Sequence, residues 1–217
     1  MAHSPISLGK INRFKDVSGM KMLKRMTAAA LALVLAPAAW AEKLPLSEIS
    51  AYLNGLTTAQ ASITQINDDG SVNTGKLLLK RPGRMRFEYD DPAAALILAS
   101  NNAVYIVDPK SNQGPETYPL RRTPLSLILA RNVNLSQANM VTGHSFDGTA
   151  TIVTAQDPKN PEYGNIQMKF TGNPVELRQW VVNDSGGGST TVVLGELIRG
   201  ADLPNRIFRP PTRENDN

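Results

Sequence analysis

Few side chains in this sequence belong to the types that carry out catalysis. The chain has two histidines and no cysteine, and only His144 lies downstream of residue 41. A Ser-His-Asp triad would have to use His144, yet the sequence has no Gly-x-Ser-x-Gly nucleophile turn. A lone histidine between a glycine and a serine is more typical of a turn or surface position. The sequence therefore predicts no catalytic residue and indicates that the protein is not an enzyme.

The acidic and glycine-rich motifs lack the neighbours that ligand-binding sites require. The Asp-Asp pairs at 68–69 and 90–91 precede a glycine and a proline, so both indicate turns. Metal sites usually combine several histidines, cysteines or carboxylates, and the spacing here brings none together. The three glycines at 186–188 lack the Lys-Ser/Thr of a phosphate-binding loop, which favours a hairpin tip. We expect neither a metal site nor a cofactor.

The strongest pattern in the chain is apolar. Within residues 84–89, Met85, Phe87 and Tyr89 alternate with charged residues, which places the three on one face of a strand. A Pro-Gly turn joins this strand to another at 74–80. The apolar face either closes a core or lines a cavity. Burial in a core is the commoner fate of such residues, and spacing alone leaves both possibilities open.

The elements around this strand predict an antiparallel sheet with helical segments. Leu46, Ile49 and Leu53 repeat at helical spacing within residues 44–56. Strand-like runs separated by turn residues are expected at 61–67, 74–80, 84–89, 95–99, 103–107, 149–155, 163–170, 175–182 and 189–198. Short strands at such regular intervals are typical of a curled or barrel-like sheet.

Three further segments complete the predicted fold. Thr123 as N-cap and Pro124 at the first helical position open a short helix. Its apolar stripe consists of Leu125, Ile128 and Leu129. Residues 111–119 are polar and contain proline and glycine, so a loop is expected there. The Phe-Arg-Pro-Pro sequence at 208–211 is predicted as a last edge strand, a position where proline is tolerated.

The start of the chain has the pattern of an export signal. Basic residues within 21–25 precede an uncharged run at 27–39, and Ala-Trp-Ala at 39–41 provides a small-x-small cleavage site. The run is shorter than the roughly 20 residues needed to span a bilayer. We interpret residues 1–41 as an upstream extension plus a signal peptide with cleavage near Ala41, a cut after residue 38 being the alternative.

Removal of this leader changes the charge balance. The chain has 23 Lys+Arg and 19 Asp+Glu; residues 1–41 hold six of the basic groups and one of the acidic groups, so 42–217 carry 17 and 18. The sequence pI near 9.4 thus reflects mainly the leader, and no nucleic-acid partner is expected. We predict that residues 42–217 form a single domain. The absence of cysteine excludes disulfides and a lipid-modified N-terminal cysteine.

One stretch and several shorter motifs resemble a known family. The stretch is Lys-Arg-Pro-Gly-Arg-Met-Arg-Phe-Glu-Tyr at 80–89. Ile-Thr-Gln at 63–65, Gly75 before three leucines, a short helix at 124–132 and Phe-Arg-Pro-Pro at 208–211 follow the matching order. Together they resemble the LolA family of periplasmic outer-membrane lipoprotein carriers.

This resemblance implies a fold and a set of site residues. The fold is mainly β: a curled antiparallel sheet forming an incomplete barrel that is not closed, with short α-helices as a lid over an apolar cavity. Arg81 matches a family arginine that bonds to lid backbone in the closed form, which makes it the expected lid latch. The residues expected to bind the acyl chains of the cargo are Met85, Phe87, Tyr89, Leu125, Ile128 and Leu129.

The implied function is that of a periplasmic chaperone acting as a monomer. Members of the family accept acylated lipoproteins from an ATP-driven release complex in the inner membrane. They pass them to an acceptor lipoprotein at the outer membrane. A lipid- or lipoprotein-sensing or adaptor module of the same fold is the alternative.

Overall fold

The computed structural model describes residues 42–137 and 139–211. Within them the chain forms two α-helices, α1 (Leu46–Gly55) and α2 (Leu125–Leu129). Short 3-10 turns lie at Leu120–Arg122, Pro161–Tyr163 and Asn205–Phe208. The strands are β1 (Thr58–Ile66), β2 (Val72–Lys80), β3 (Arg84–Tyr89), β4 (Leu96–Ser100), β5 (Ala103–Val107), β6 (Glu116–Pro119), β7 (Val141–Phe146), β8 (Thr151–Gln156), β9 (Gly164–Thr171), β10 (Glu176–Asp184), β11 (Ser189–Leu194) and β12 (Ile198–Arg199).

The twelve described strands form one antiparallel sheet. Its order is β6-β5-β4-β3-β2-β1-β11-β10-β9-β8-β7, and the short β12 also pairs with β1. Every neighbouring pair is antiparallel, so short hairpins build most of the sheet. The two end strands, β6 and β7, do not pair with each other. The barrel is therefore incomplete, as the resemblance implied.

The sheet is strongly curled. Phe87 in β3 and Trp180 in β10 are separated by three strands, which in a flat sheet would place them about 19 Å apart at the usual strand spacing. Their ring centroids are 6.3 Å apart instead, with the planes at 78°. The apolar face of β3 thus looks across a concavity at β10, and the predicted fold class is confirmed.

The concave face holds the main hydrophobic core, and α1 packs against it. Ile49 and Leu53 are buried on the inner side of this helix. The ring of Tyr52 meets that of Phe170 edge to face with centroids 5.9 Å apart. The Tyr52 hydroxyl also accepts a hydrogen bond from the amide of Leu177 at 3.0 Å. One helix therefore covers part of the concavity through both apolar and polar contacts.

The C-terminal segment crosses the outer face of the sheet instead of adding a strand. Phe208 ends a 3-10 turn and is buried with Leu98 and Leu203 in a second, smaller core. Side chains of β2 to β4 donate to backbone carbonyls of this segment: Lys80 to Leu203 (2.6 Å), Arg86 to Ile207 (3.0 Å) and Ser100 to Phe208 (2.7 Å). The predicted edge strand at 208–211 is wrong, because burial of the phenylalanine turns the chain inward.

Other boundaries differ from the predictions for identifiable reasons. The predicted loop at 111–119 contains β6, whose four residues are all exposed, so no buried face marks it in the sequence. Thr123 does not cap α2; its hydroxyl donates to the carbonyl of Leu120 at 2.9 Å, and Pro124 occupies the N-cap position. The predicted strand at 189–198 divides into β11 and β12.

Two predictions concern residues outside those described. The signal peptide with its cleavage near Ala41 lies there, as does the tail beyond residue 211. The extent of the single domain, 42–217, thus stays a prediction. Among the described residues, no helix combines the length and apolar character needed to cross a membrane.

Candidate functional site: a lidded apolar cavity

A cavity of about 630 Å³ opens on the concave side of the sheet. Its size falls in the range of small-molecule sites, roughly 300–1,000 Å³. The apolar side chains that line it come from strands on both sides of the curl and from α2: Phe87, Ile97, Val104, Ile106, Leu125, Trp180, Val182 and Val192. This apolar part of the lining suits a long apolar ligand, because it offers dispersion contacts.

Three aromatic rings form a continuous wall of this cavity. Phe87 stacks on Tyr89 with centroids 6.3 Å apart and planes within 8°, since both point inward from β3. Phe87 also meets Trp180 edge to face across the concavity. Rings in these arrangements favour one another beyond simple area burial, so the three side chains support one another in the wall.

One end of the cavity is polar. The Tyr89 hydroxyl donates to Oε1 of Gln65, and Nε2 of Gln65 donates to Oδ1 of Asn67 at 2.7 Å. Burial raises the pKa of the Tyr89 phenol above its ordinary value, which keeps the hydroxyl neutral. Thr190 and Asp184 line the same region. An amphiphile can therefore place its apolar part against the rings and a polar group at this end.

The structure also contains a second, nearly closed pocket of about 20 Å³. Met85 lines it from the sheet, while Leu53 of α1 and Ile128 of α2 line it from above. Trp180 borders both this pocket and the larger cavity. Side chains of the two helices thus occupy the space that continues the larger cavity under the helices.

We call α1, α2 and residues 130–135 the lid, because together they cover the concavity. Asn54 in α1 donates to the carbonyl of Val133 at 2.9 Å and accepts from the amide of the same residue at 2.8 Å. The Ser50 hydroxyl accepts from the amide of Leu135 at 3.0 Å. These bonds join the two helical parts of the lid to each other.

Arg81, at the turn between β2 and β3, connects the lid to the sheet. Its guanidinium donates to the carbonyl of Leu53 in α1 and, at 2.5 Å, to the carbonyl of Ala130 after α2. Its Nε is buried without a hydrogen-bond partner among the described residues. Burial lowers the pKa of Arg81, although an arginine still remains charged at neutral pH. The Gly83 amide adds a bond to the carbonyl of Leu129 at 2.9 Å.

The predicted cargo residues do not form one continuous surface. Phe87, Tyr89 and Leu125 line the larger cavity. Met85 and Ile128 line the small pocket under the lid, and Leu129, only 2% exposed, borders a separate outer groove. Their assignment to cargo binding stays a prediction.

Sequence reasoning missed several cavity residues. Gln65 was part of a family motif and Trp180 part of a predicted strand, but neither was assigned to the site. Ile97 and Ile106 gave no signal of their own. Ile97 pairs directly with Phe87 and with Ile106. Trp180 would lie far from Phe87 in a flat sheet, and the curl brings these two residues together.

His144 lies in β7, not in a turn. Its Nε2 is 2.9 Å from the carbonyl oxygen of Leu44, which connects the segment before α1 to an end strand. Within the described ranges, no group of three or more His, Asp or Glu side chains could hold a metal ion.

A family model described as "Outer membrane lipoprotein carrier protein LolA" matches residues 54–211. The chain belongs to the LolA family. An outer-membrane lipoprotein carrier protein from Methylobacillus flagellatus is 23% identical, with 85% of this chain and 94% of that protein covered. One from Chromobacterium violaceum is 28% identical, with 86% and 92% covered. The structure of a LolA superfamily protein from Nitrosomonas europaea aligns with a TM-score of 0.41 at 12% identity. The alignment covers 77% of this chain and 98% of that chain.

Membership in the LolA family agrees with the incomplete barrel and its lid. The matched residues begin within α1 and run to the end of the described chain. They include the Arg81 turn, the aromatic wall and α2, whereas most of α1, with Ser50 and Leu53, precedes the matched residues. The relatives named here are called lipoprotein carriers, which assigns the chain to a carrier family.

Proposed function

We propose that this protein is a periplasmic carrier that shelters the acyl chains of lipoproteins and delivers them to an outer-membrane acceptor. The observation that supports this most directly is the 630 Å³ apolar cavity beside a lid that one arginine ties to the sheet. The expected cargo contacts are Phe87, Tyr89 and Leu125 with the lid closed, joined by Met85, Ile128 and Leu129 when it moves.

The physical need for such a cavity is clear. Each buried CH₂ of an acyl chain is worth about 0.8 kcal/mol, so even partial shelter of one chain stabilises a complex by several kcal/mol. The cavity is of the size that encloses one drug-sized ligand. Further chains therefore require the space that Leu53 and Ile128 now fill.

Arg81 is the proposed latch. It holds the lid by hydrogen bonds to carbonyls of two lid elements, Leu53 and Ala130. Cargo that displaces these side chains must break those bonds, and emptying the cavity restores them. Because the latched state competes with cargo, the carrier can release what it binds.

The proposed partners follow from this role. An ATP-driven release complex of the inner membrane supplies the lipoprotein, and an acceptor lipoprotein at the outer membrane receives it. Residues 1–41 are proposed to direct export and to be removed near Ala41. No catalytic residue, nucleic acid or cofactor is part of this proposal, and the protein is proposed to act as a monomer.

Co-purification tests the proposal. The full chain is expressed in an exporting host together with a triacylated lipoprotein and, separately, with the same lipoprotein lacking its lipidated cysteine. We expect native mass spectrometry of the periplasmic carrier to detect the acylated form alone. Capture of both forms would indicate protein–protein recognition without lipid. A carrier that stays empty in both cultures would favour the adaptor alternative.

A further inference from the structure

A groove of about 630 Å³ lies outside the cavity, on the far side of the lid. One part of its lining comes from the sheet, at the β2–β3 turn, and the other from the lid. The residues that matter are Pro82, Gly83, Arg121, Leu129, Ala130 and Arg131. We call it the latch groove, because the Gly83–Leu129 hydrogen bond and the carbonyl bound by Arg81 lie along it.

The latch groove is positively charged. Residues 117–146 contain three arginines and no aspartate or glutamate. Two of these arginines, Arg121 and Arg131, line the groove, and both are exposed. None of the ion pairs between described residues includes either of them. The groove thus presents two guanidinium groups whose charge is not neutralised by a bonded carboxylate.

Carboxylates gather at the other end of the barrel. The turns after β1, β3, β5, β8 and β10 lie at the end opposite the Arg81 turn, as the antiparallel pairing requires. They carry aspartates at 68–69, 90–91, 108, 157 and 184. The molecule is therefore polarised, and an acidic ligand approaching it is steered towards the lid end.

We infer that the latch groove binds an acidic peptide segment of a partner protein and recognises the carrier in its latched form. This rests on the proposed carrier function. Arginine forms bidentate bonds to carboxylates, and the exposed Pro82 adds apolar surface to the same groove. A concave site of this size accepts a chain segment, whereas a flat bilayer surface cannot enter it.

Preference for the latched form follows from the origin of the lining. The sheet contributes Pro82 and Gly83, and the lid contributes Leu129 to Arg131. The two parts stay together through the bonds of Arg81 and Gly83. If the lid moves away, the groove loses one of its sides. Its occupant therefore distinguishes the empty, latched carrier from a loaded one, which fits the component that supplies cargo.

The first experiment measures binding of a short fluorescein-labelled peptide in which glutamate and leucine alternate. Fluorescence anisotropy is followed with the cargo-free protein purified from the periplasm of an exporting host, as salt is raised. We expect binding that weakens with salt, and no binding of a matched peptide with lysine in place of glutamate. Equal binding of both peptides would overturn the inference.

Charge reversal locates the site. Arg121→Glu combined with Arg131→Glu is expected to weaken peptide binding by about ten-fold or more. The matched control, Lys110→Glu with Lys159→Glu, changes the net charge equally at exposed positions near the opposite end, and we expect a change below about two-fold. Similar losses in both proteins would show long-range steering without a site. Arg121→Gln with Arg131→Gln provides a milder variant if the reversal impairs folding.

The latch dependence needs its own measurement. We expect Arg81→Leu, which frees the lid, to weaken peptide binding about three-fold or more. Unchanged affinity would overturn recognition of the latched form. Sedimentation with phosphatidylglycerol vesicles tests the membrane alternative: arginine-dependent vesicle binding without peptide binding would overturn the inference. Uptake of acylated lipoprotein is measured on the same variants, so failure here leaves the carrier proposal to its own test.

Discussion

At the scale of single residues, the contacts of Arg81 bear on its proposed role as the latch. Two of its nitrogens bond to lid carbonyls, but its buried Nε has no partner among the described residues. A buried donor without a partner costs about 1–3 kcal/mol. That cost offsets much of the stabilisation that the two bonds contribute. The proposed latch therefore has short hydrogen bonds but contributes little net free energy.

Arg81→Leu removes the competition between the latch and the cargo. We expect the variant to bind acylated lipoprotein more tightly, by about ten-fold, because hydrogen bonds to a charged group contribute about 1.5–3 kcal/mol. Transfer to outer-membrane vesicles should slow accordingly. The measurement is the fraction of lipoprotein left on the carrier over time, with Arg178→Leu on the surface as control. Uptake and transfer equal to those of the unaltered protein would contradict the latch.

The burial of Tyr89 predicts that the fold loses stability at alkaline pH. Its folded-state pKa is raised by burial, so the unfolded chain ionises first, near pH 10. The stabilising contribution is complete below that pH and declines as pH rises towards the folded-state value. We expect the free energy of unfolding to fall above about pH 10, and to fall less steeply in Tyr89→Phe. Parallel pH profiles in urea denaturation would contradict this assignment.

At the scale of elements, Gly75 shows how β2 and β3 can lie so close. A Cβ at this position would lie 2.1 Å from the carbonyl oxygen of Glu88 and 2.9 Å from the Cα of Tyr89. Both obstacles are backbone, which cannot move aside without disturbing the strand that carries the aromatic wall.

A pair of alanine substitutions tests this close approach. We expect Gly75→Ala to destabilise the fold by about 1–3 kcal/mol through overpacking. Gly55→Ala, in α1 with nothing within 4 Å of the added atom, should stabilise by about 0.5–1 kcal/mol. Urea unfolding measures both. A Gly75→Ala protein as stable as the unaltered one would show that the close backbone contact does not matter.

The C-terminal segment yields a second prediction for an element. Phe208 is 2% exposed and packs with Leu98 and Leu203 on the outer face. Phe208→Ala should cost about 3–5 kcal/mol, whereas Val193→Ala, at a residue 38% exposed, should change the free energy of unfolding by less than about 0.5 kcal/mol. A small loss at Phe208 would mean that the segment is attached by its hydrogen bonds alone.

The elements that sequence patterns located are those with one buried face. β3 and β5 begin and end where predicted, because β3 alternates fully and clear turns flank β5. β6 was missed, since a strand exposed on both faces has no periodicity to detect. The 3-10 turn at Asn205–Phe208 was read as a strand because proline tolerance at edges outweighed one inward phenylalanine.

The candidate site was predictable only in part, for a related reason. Phe87 and Tyr89 share a face by spacing alone. Trp180 and Gln65 reach the same cavity through curvature, a property that arises from the whole sheet and leaves no local pattern. The predicted cargo residues are divided among the larger cavity, the small pocket and the outer groove. This division depends on where the lid rests, which spacing does not encode.

At the scale of the whole molecule, the larger cavity and the small pocket are neighbouring parts of one interior. The larger cavity is open, and side chains of the lid fill most of the small pocket. Trp180 borders both, and Phe87 packs against it. A ligand that enters the first space must push on these rings before reaching the second.

Ligand-induced stabilisation measures whether an acylated ligand binds in this interior. A tripalmitoylated peptide that binds only the folded state should stabilise it by about 2.7 kcal/mol at one hundred times its Kd, seen as a rise in Tm. We expect Phe87→Gln to lose most of this rise while the ligand-free protein still folds, and Val193→Gln to retain it. If Phe87→Gln reduced folding and ligand response equally, the ring would be ordinary core.

The missing contact between β6 and β7 has a mechanical consequence. A closed barrel can widen only if the hydrogen bonds between two neighbouring strands break. An open, curled sheet can widen by a change in its curvature, and all hydrogen bonds between its paired strands are kept. We therefore expect the barrel to widen at this gap around a bulky ligand and to narrow again when the ligand leaves.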